Sequence, residues 1–401
     1  MRLDQSRGRK DGGPAPSRKA RIEVFGFDVA EISQVRRIRA LMSLGHEVHS
    51  FTMSRGNMAP GDAPDWPNTH LFHTVNENLP RRAAVVAGSV ARMARHRRRL
   101  QAADLIIARN LDMLAIAWAA RAMAGAGHVP LVYECLDIHG ALCRADAAGR
   151  AMRAAERALL DRIAMLVVSS PGFVRDYFGP VQAYRGPWAL WENRLAAGAE
   201  LPPRPTMVAA PGGPLRLGWV GTIRCGPSLA LLAEVADRMG PAVEIRIHGV
   251  VHRHALPEFD AVVGARRNMS FHGPYRYPQD LPAIYGGCDL VWAQDLWQRG
   301  GNSDWLLPNR IYEAGWAGCP AIAVAGTETG RRVAGDGLGW VLPQARAEAL
   351  AALLARLGRE EIAARRRSLL QRPAGAFVQD GAEIEAVIAR LVGGGTGARA
   401  A

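Results

Sequence analysis

The sequence contains few of the residues that build metal sites and disulfide frameworks. Its 401 residues include five cysteines, and none of them form a C-x-x-C pair. Neither a zinc site nor a disulfide framework is therefore predicted, and the cysteines suit a reducing cytoplasm. No D-x-D pair follows a predicted strand, so we expect no divalent metal.

Long apolar runs are also lacking. No apolar segment reaches the ~18 to 20 residues that a membrane-spanning helix requires. The basic, Gly/Pro-rich N-terminus has no apolar core of a secretory signal. We expect residues 1–20 to form a disordered tail and the protein to be cytoplasmic, with peripheral contact to the cytoplasmic face of the inner membrane as a hypothesis.

The common nucleotide fingerprints are absent as well. Neither half of the chain has G-x-G-x-x-G after its first predicted strand, and G-x-x-x-x-G-K-[ST] does not occur. A nicotinamide or flavin cofactor and a P-loop are therefore not predicted, and no cofactor is expected.

Positive charge, in contrast, is abundant and is nearly all arginine. The net charge is +13, and residues 1–200 contain 28 Lys and Arg against 19 Asp and Glu. Nucleic acid, anionic lipid and a phosphate-bearing substrate are all compatible partners. Genome composition is an equally good explanation for the arginines.

Short apolar strands alternate with amphipathic helices in the first half. The first helix is predicted to bury Val35, Ile38 and Met42 on one face and to end at Gly45. The predicted strands are Arg21–Phe25, Glu47–Phe51, Asp104–Ala108, Leu131–Cys135 and Met165–Ser169. This order predicts a parallel sheet covered on both faces.

The same pattern starts again in the second half. Predicted strands cover LRLGWVGTI and VEIRIHGVV, with the helix GPSLALLAEVADRM between them. We predict an α/β protein with two Rossmann-like, doubly wound domains facing an interdomain crevice. The predicted parts are the first domain at 21–195, a linker at 196–214, the second domain at 215–375, and a C-terminal helix and tail at 376–401. That helix is a candidate to cross back to the first domain.

The stretch GGNSDWLLPNRIYEAGWAGCP offers an anion site. Asn309 is a candidate N-cap, so Arg310 and free backbone N–H groups of the helix start are placed to bind a diphosphate. Glu313, one turn further, is placed to bind a ribose diol. The alternative is that Asn309 only caps the helix and Glu313 is a solvated acid of its first turn.

A second anion site is predicted at the turn from Gly221 to Gly226, between a strand and a helix. Arg224 is placed there to neutralise charge on a departing diphosphate. Gly221, Thr222, His248 and Gly249 join the predicted donor-binding residues. As an isolated pattern, such a turn occurs in every α/β fold.

These segments occur together and in order, and the chain resembles family 4 glycosyltransferases of the GT-B fold, in the bacterial exopolysaccharide branch. The matching segments are LGHEV, PLVYECLDIHG, LVVSSPGFVRDYF, WEN, LGWVGTIR, MSFHGPY, DLPAIYGGCDLVWA and PNRIYEAGWAGCPAIAV. They span roughly residues 21 to 345 of the chain.

The resemblance implies roles for the second domain. Glu313 binds the donor ribose, Arg224 and Arg310 approach the diphosphate, and the loop with Asn302 and Ser303 lies near the sugar. Two positions depart from the family. Trp305 replaces the first of two glutamates spaced with seven residues between them, and the phosphate turn has Thr222 and Cys225 at or near its usual Arg and Lys.

The first domain supplies the predicted acceptor side. Glu134, Asp137 and His139 are expected to face the crevice after a buried strand, and Asp28 follows the first strand. We predict acid/base or acceptor-orienting roles for Asp137 and His139; a structural role is the alternative for the histidine. Together with Arg224 and Glu313 they form the predicted catalytic set.

The segment RRAAVVAGSVARMARHRRRL is the most basic region. A continuous helix places Arg92, Arg95 and Arg99 on one face, with Arg98 beside them, and Val86, Val90 and Met93 on another. We predict contact with an anionic membrane surface. A solvated basic helix is the alternative, and nucleic acid is not expected because no aromatic residues accompany the arginines.

These features favour a retaining glycosyltransferase that moves a hexose from a nucleotide sugar, a UDP-sugar by preference, to a lipid-linked saccharide. Retention is implied by the family alone. The alternatives are a sugar-nucleotide epimerase of the same fold and a non-catalytic protein that binds nucleotide sugars.

Overall fold

The computed structural model describes residues 19–29, 31–55, 64–74, 88–196, 201–206 and 212–393. The described strands form two parallel sheets, which confirms the predicted pair of doubly wound domains. Residues 1–18 of the predicted tail lie outside the described part. Ala20, which the sequence places in that tail, is buried in the first domain.

The first domain has a seven-stranded sheet in the order β3-β2-β1-β4-β5-β6-β7. Its strands are β1 Arg21–Gly26, β2 Glu47–Arg55, β3 Asn68–Thr74, β4 Leu105–Arg109, β5 Leu131–Cys135, β6 Met165–Val168 and β7 Trp188–Leu190. Its α-helices are α1 Ile32–Ser43, α2 Arg97–Ala102, α3 Leu111–Met123, α4 Ala147–Leu160 and α5 Pro171–Phe173. The chain reverses its strand order between β1 and β4, where open α/β folds bind ligands.

The second domain has a six-stranded sheet in the order β10-β9-β8-β11-β12-β13. Its strands are β8 Leu215–Ile223, β9 Val243–Val251, β10 Met269–Phe271, β11 Leu290–Trp292, β12 Ala321–Val324 and β13 Gly339–Leu342. The helices that follow are α6 Gly226–Met239, α7 Phe259–Gly264, α8 Leu281–Gly286, α9 Asn302–Trp305, α10 Asn309–Trp316, α11 Glu328–Gly335, α12 Ala347–Arg356, α13 Arg359–Gln371 and α14 Gly381–Gly393.

Both faces of each sheet are buried, which explains the nearly continuous apolar strands. In β1, Val24 packs on one face of the first sheet, and the next residue, Phe25, packs on the other. Helix α1 corrects one prediction. Met42 is 38% exposed and Leu41 is fully buried, so the buried face is rotated from the predicted one.

The C-terminal segment returns to the first domain. Leu195 and Val378 form an isolated parallel bridge, with the Leu195 N–H donating to the Phe377 carbonyl at 2.9 Å. Helix α14 then buries Ile384 and Ile388 in the apolar cluster beneath β1. The end of the chain is therefore part of the core of the first domain.

Removing the Ile384 side chain is expected to destabilise the first domain. An Ile384→Ala substitution leaves a cavity under the sheet, and the free energy of unfolding should fall by about 2 to 4 kcal/mol. Urea denaturation followed by tryptophan fluorescence measures the change. Arg390→Ala, at an exposed position of the same helix, is the control. An equal loss in both variants would show that α14 contributes through its surface and not through burial.

Candidate active site between the two domains

Two glycines let β8 and β9 approach each other at the start of the predicted phosphate turn. Gly221 and Gly249 both have positive φ, at 113° and 136°. The two residues are neighbours in register, and a Cβ on Gly249 would overlap the Gly221 carbonyl oxygen. Only glycine fits this geometry, which shapes the end of β8.

The turn after β8 presents Arg224 and uses Cys225 for structure. The Cys225 Sγ caps α6 by accepting a hydrogen bond from the Ser228 N–H at 3.4 Å, and Cys225 is buried. This cysteine therefore serves the helix where the family has a cation. Thr222 is exposed and Arg224 is half-buried, so Arg224 is the cation of this turn.

Arg310 lies beside the same turn. Its Nη2 is 3.9 Å from the position that a Cβ of Gly221 would occupy, and its Nη1 donates to the Trp292 carbonyl at 3.3 Å. Asn309 is not the N-cap that the sequence predicts. Helix α10 begins at Asn309, Pro308 is its N-cap residue, and no described side chain caps it.

Glu313 is buried, and it lies beyond the first turn of α10. It is 5% exposed, its Oε1 accepts from Arg36 Nη2 at 2.7 Å, and its Oε2 accepts from the Tyr285 hydroxyl at 3.0 Å. Arg36 belongs to α1 of the first domain. Both oxygens of the expected ribose ligand are therefore engaged by the protein.

His248 is a neutral member of the predicted donor site. Its ring stacks on His272, with centroids 4.4 Å apart and planes 9° apart. Burial, together with His272 and Arg246, lowers the pKa of His248 to about 4. Near neutral pH the imidazole offers hydrogen bonds and an aromatic face but no charge.

Asp137 and Asn302 join the two domains across the crevice. Asn302 Nδ2 donates to Asp137 Oδ1 at 3.0 Å, and its Oδ1 accepts from the Ile138 N–H at 2.8 Å. Asp137 keeps exposed surface at the crevice, but groups from both domains lie close around it. The resulting loss of hydration raises the pKa of Asp137, against the opposing effects of Arg224 and Asn302.

Ser303 is also engaged within the protein. It is buried, its Oγ donates to Asp295 Oδ1 at 2.8 Å, and the Gln298 N–H donates to that Oγ at 2.7 Å. The segment that the sequence treats as a sugar-contacting loop includes the short helix α9. In this arrangement Asn302 and Ser303 position the surrounding backbone.

The other acceptor-side candidates lie at the carboxyl ends of the strands. His139 is exposed, and its Nδ1 accepts from the Ala141 N–H at 3.2 Å. Asp28 is buried just beyond β1, where its carbonyl accepts from the Glu31 N–H at 3.3 Å. The structure therefore brings His139 to the crevice and leaves Asp28 inside the first domain.

Glu134 does not face the crevice, contrary to the prediction. It is buried inside β5, where its carboxylate pairs with Arg37 and Arg109, each at 2.9 Å. Burial alone would raise the pKa of Glu134, but Arg109 and Arg37 outweigh it and hold the pKa below its ordinary value. Glu134 thus fixes two arginines inside the first domain.

Trp305, at the position of the missing family glutamate, packs against the first domain. Its ring lies 5.9 Å from that of Tyr177, and its carbonyl accepts a hydrogen bond from Ser170. Leu306 continues the contact inside the apolar core of the first domain. The position supports the interface between the domains.

The basic segment is not one continuous helix. Residues 94–96 form a 3-10 turn that separates the helical residues 88–93 from α2. Arg92 donates to the Leu71 carbonyl and lies 4.0 Å from the Phe72 ring centroid, while Arg99 pairs with Glu23 at 3.2 Å. The predicted common face of Arg92, Arg95 and Arg99 is therefore wrong, and Val86 lies outside the described residues.

Arg36 is the site residue that sequence reasoning misses. It is 8% exposed on α1 and reaches Glu313 of the other domain. The signal in the sequence was the adjacent pair Arg36 and Arg37 within an otherwise amphipathic helix. An arginine on the buried side of such a helix requires a partner. Nothing in the local sequence identifies those partners.

The described ranges contain neither a metal-binding cluster nor a membrane-spanning helix. No three His, Cys, Asp or Glu side chains there come together as a metal site, and the predicted independence from metal stays a prediction. No helix in the same ranges has the length and apolar character needed to cross a membrane.

Comparison with known proteins gives one family. The profile of the glycosyl transferase 4-like domain matches residues 34–193. The chain is 38% identical over 378 residues to the succinoglycan biosynthesis protein ExoL of Rhizobium meliloti, and the match covers 91% of each protein.

Solved structures share the fold at low sequence identity. HepE from Anabaena, in complex with UDP and glucose, is 15% identical with a TM-score of 0.63, and the match covers 94% of this chain and 100% of that one. Sucrose-phosphate synthase from Thermosynechococcus elongatus gives 15% and 0.68 over the same shares of the two chains. The lipopolysaccharide glycosyltransferase WaaG gives 16% and 0.63, covering 92% and 99%.

The extent of the match to ExoL and the shared two-sheet architecture lead to the same assignment. The chain belongs to the family 4-like glycosyltransferases of the GT-B fold that act in exopolysaccharide biosynthesis.

Proposed function

We propose that the protein is a retaining hexosyltransferase that uses a UDP-sugar and extends a lipid-linked saccharide during assembly of a succinoglycan-type polysaccharide. The name of the 38% identical relative supports the polysaccharide class. The complexes of HepE with UDP and with UDP-glucose support the donor class. Membership of the family supports retention of the anomeric configuration.

The proposed donor site rests mainly on the position of Arg310 beside Gly221. This position lies at the reversal of strand order between β8 and β11, where open α/β sheets bind ligands. Arg224 follows in the same turn, and the start of α10 adds uncapped backbone N–H groups. Two cations and a helix start suit a diphosphate.

The proposed chemistry needs no protein nucleophile. The bond between the sugar C1 and the diphosphate oxygen breaks while the acceptor oxygen bonds to C1 on the same face, and the acceptor proton passes to the departing phosphate. Arg224 and Arg310 stabilise the negative charge that develops on the leaving group. The arginines and helix N–H groups provide charge stabilisation that, on this proposal, requires no metal.

Asp137 is the proposed acceptor-orienting residue. Its carboxylate is exposed to the crevice at the carboxyl end of β5, next to the exposed His139. Asn302 holds one carboxylate oxygen, which leaves the other to accept a hydrogen bond from an acceptor hydroxyl. Loss of hydration between the two domains raises the pKa of Asp137, and shifts of this kind are common at functional sites.

Arg95 and Arg98 are the proposed membrane-contacting residues. Both are exposed in the basic segment, whereas Arg92 and Arg99 are bound to their own domain. An anionic surface attracts such arginines, and a lipid-linked acceptor requires the enzyme at the membrane. We therefore propose a cytoplasmic protein bound peripherally to the inner membrane.

Loss of Arg224 should slow transfer. In Arg224→Ala the leaving diphosphate loses one of its two proposed cations and keeps only Arg310. The kcat with a UDP-sugar should therefore fall roughly 10²- to 10³-fold. Initial rates of UDP release in the presence of acceptor measure this. Arg267→Ala, an exposed position before β10, should keep the wild-type rate. A wild-type rate in Arg224→Ala would remove this arginine from the mechanism.

The Asp137→Asn substitution should raise the Tm and lower the turnover. The folded-state pKa of Asp137 is raised, so folding takes up protons and stability falls as pH rises above the ordinary carboxyl pKa of ~4. The amide lacks this loss, so its advantage in Tm over wild type should grow from pH 4 towards neutrality. Turnover should fall roughly 10²-fold or more.

The Asp137 experiment combines thermal denaturation at several pH values with rate measurements. Asp161→Asn, an exposed carboxyl at the end of α4 away from the crevice, is the control and should change neither quantity. A lower Tm of Asp137→Asn at every pH, or undiminished turnover, would contradict the assigned role.

Charge reversal should release the enzyme from anionic membranes. The double variant Arg95→Glu/Arg98→Glu should lose most of its binding to vesicles that contain phosphatidylglycerol, and added salt should weaken wild-type binding. Vesicle flotation measures both effects. The control Arg356→Glu/Arg367→Glu changes the same charge on exposed helices of the second domain. Equal losses in both double variants would show that net charge, not this surface, drives binding.

A further inference from the structure

Arg36 occupies the expected ribose ligand from the opposite domain. Its Nη2 lies 2.7 Å from Glu313 Oε1, its Nη1 donates to the Asn193 carbonyl at 3.4 Å, and its guanidinium lies 4.3 Å from the Tyr277 ring centroid. Arg36 and Glu313 are both more than nine-tenths buried. The contact is thus a desolvated ion pair between α1 and α10.

This ion pair and a ribose diol need the same acceptor atoms. Tyr285 already uses Glu313 Oε2, and Arg36 uses Oε1. Because Glu313 is only 5% exposed, two ribose hydroxyls can reach its carboxylate only if one of these partners moves away. Arg36 is the partner that domain movement can withdraw, since Tyr285 lies on α8 of the same domain as Glu313.

Arg36 is also incompletely satisfied in this position. Its Nε is buried and has no hydrogen-bond partner among the described residues. A buried unpaired donor weakens the net stabilisation of the contact. The pair therefore compensates the charge of Glu313 but leaves one donor of the arginine unsatisfied.

We propose that Arg36 is a positioning residue of the donor site, which competes with the donor ribose for Glu313 and returns to Glu313 when the nucleotide product leaves. The inference rests on the proposed function. Its consequence is that part of the intrinsic affinity for nucleotide is used to separate Arg36 from Glu313. The first domain thereby promotes release of a nucleotide bound by the second.

Removing the competitor should tighten nucleotide binding. In Arg36→Gln the dissociation constant for UDP, measured by titration calorimetry, should decrease roughly fivefold or more. The donor KM should decrease, and kcat should also decrease where UDP release limits turnover. Arg36→Lys keeps the charge but loses the planar group that stacks on Tyr277, and it should restore only part of the competition. A merely structural role would weaken binding instead.

The control is Arg175→Gln, at a more exposed arginine of the same interface. Arg175 pairs with Glu328 across the same two domains at 2.8 Å but does not contact Glu313, and its loss should leave UDP affinity within about twofold. Equal tightening in both variants would assign the effect to general loosening of the interface and overturn the proposal. Weaker binding by Arg36→Gln would show that Arg36 supports the donor site or contacts the donor, and it would also overturn the proposal.

The same titrations distinguish this inference from the proposed function. Wild-type binding of UDP that Arg36→Gln leaves unchanged would retain the donor site and reject the competition. Absence of UDP binding in wild type and both Arg36 variants would reject the proposed donor and the inference with it. Circular dichroism of each variant confirms that the fold is retained.

Discussion

Ion pairs between arginines and buried glutamates connect the two domains, and Arg36–Glu313 is the pair with both members buried. Glu313 is bound by Arg36, Glu328 by Arg175, and Glu192 of the first domain by Arg332 of the second. Removing two charges from water is unfavourable unless the pairing geometry is good. Such pairs therefore specify one relative arrangement of the domains more than they stabilise it.

Apolar packing provides the opposite kind of contact at the Trp305 end of the crevice. Trp305 lies on Tyr177, and Leu306 enters the apolar core of the first domain. Separating these groups exposes apolar surface, whereas separating an ion pair returns its members to water. A charged ligand can therefore compete for the partners of the ion pairs. It does not compete for the apolar contact.

The sequence predicts the local elements of the second domain closely because their patterns are strong. The strands at 215–223 and 243–251 and the helix at 226–239 have the predicted bounds. The prediction fails where distant residues decide the outcome. Glu134 reads as a crevice residue after a buried strand, but two arginines from α1 and β4 bind it inside the domain.

The candidate site shows the same limit in sharper form. Arg310 and the glycine turn are local features of strand-to-helix connections, so sequence could identify them. The partner of Glu313 is 277 residues away along the chain, on a helix whose rotation differs from the predicted one. Burial of Arg36 requires that rotation, since the helix turns Met42 to solvent and the arginine inward.

The contacts between the two domains differ in the interactions that hold them. Asn302 ties α9 to the Asp137 loop, and Trp305 and Leu306 anchor the same segment in the first domain. This side is held by hydrogen bonds and apolar burial together. The Arg36–Glu313 contact is held chiefly by charge and hydrogen bonds and includes an unsatisfied donor. On the proposed competition, a donor ribose at Glu313 displaces Arg36, while the contacts of α9 with the first domain keep Asp137 in place.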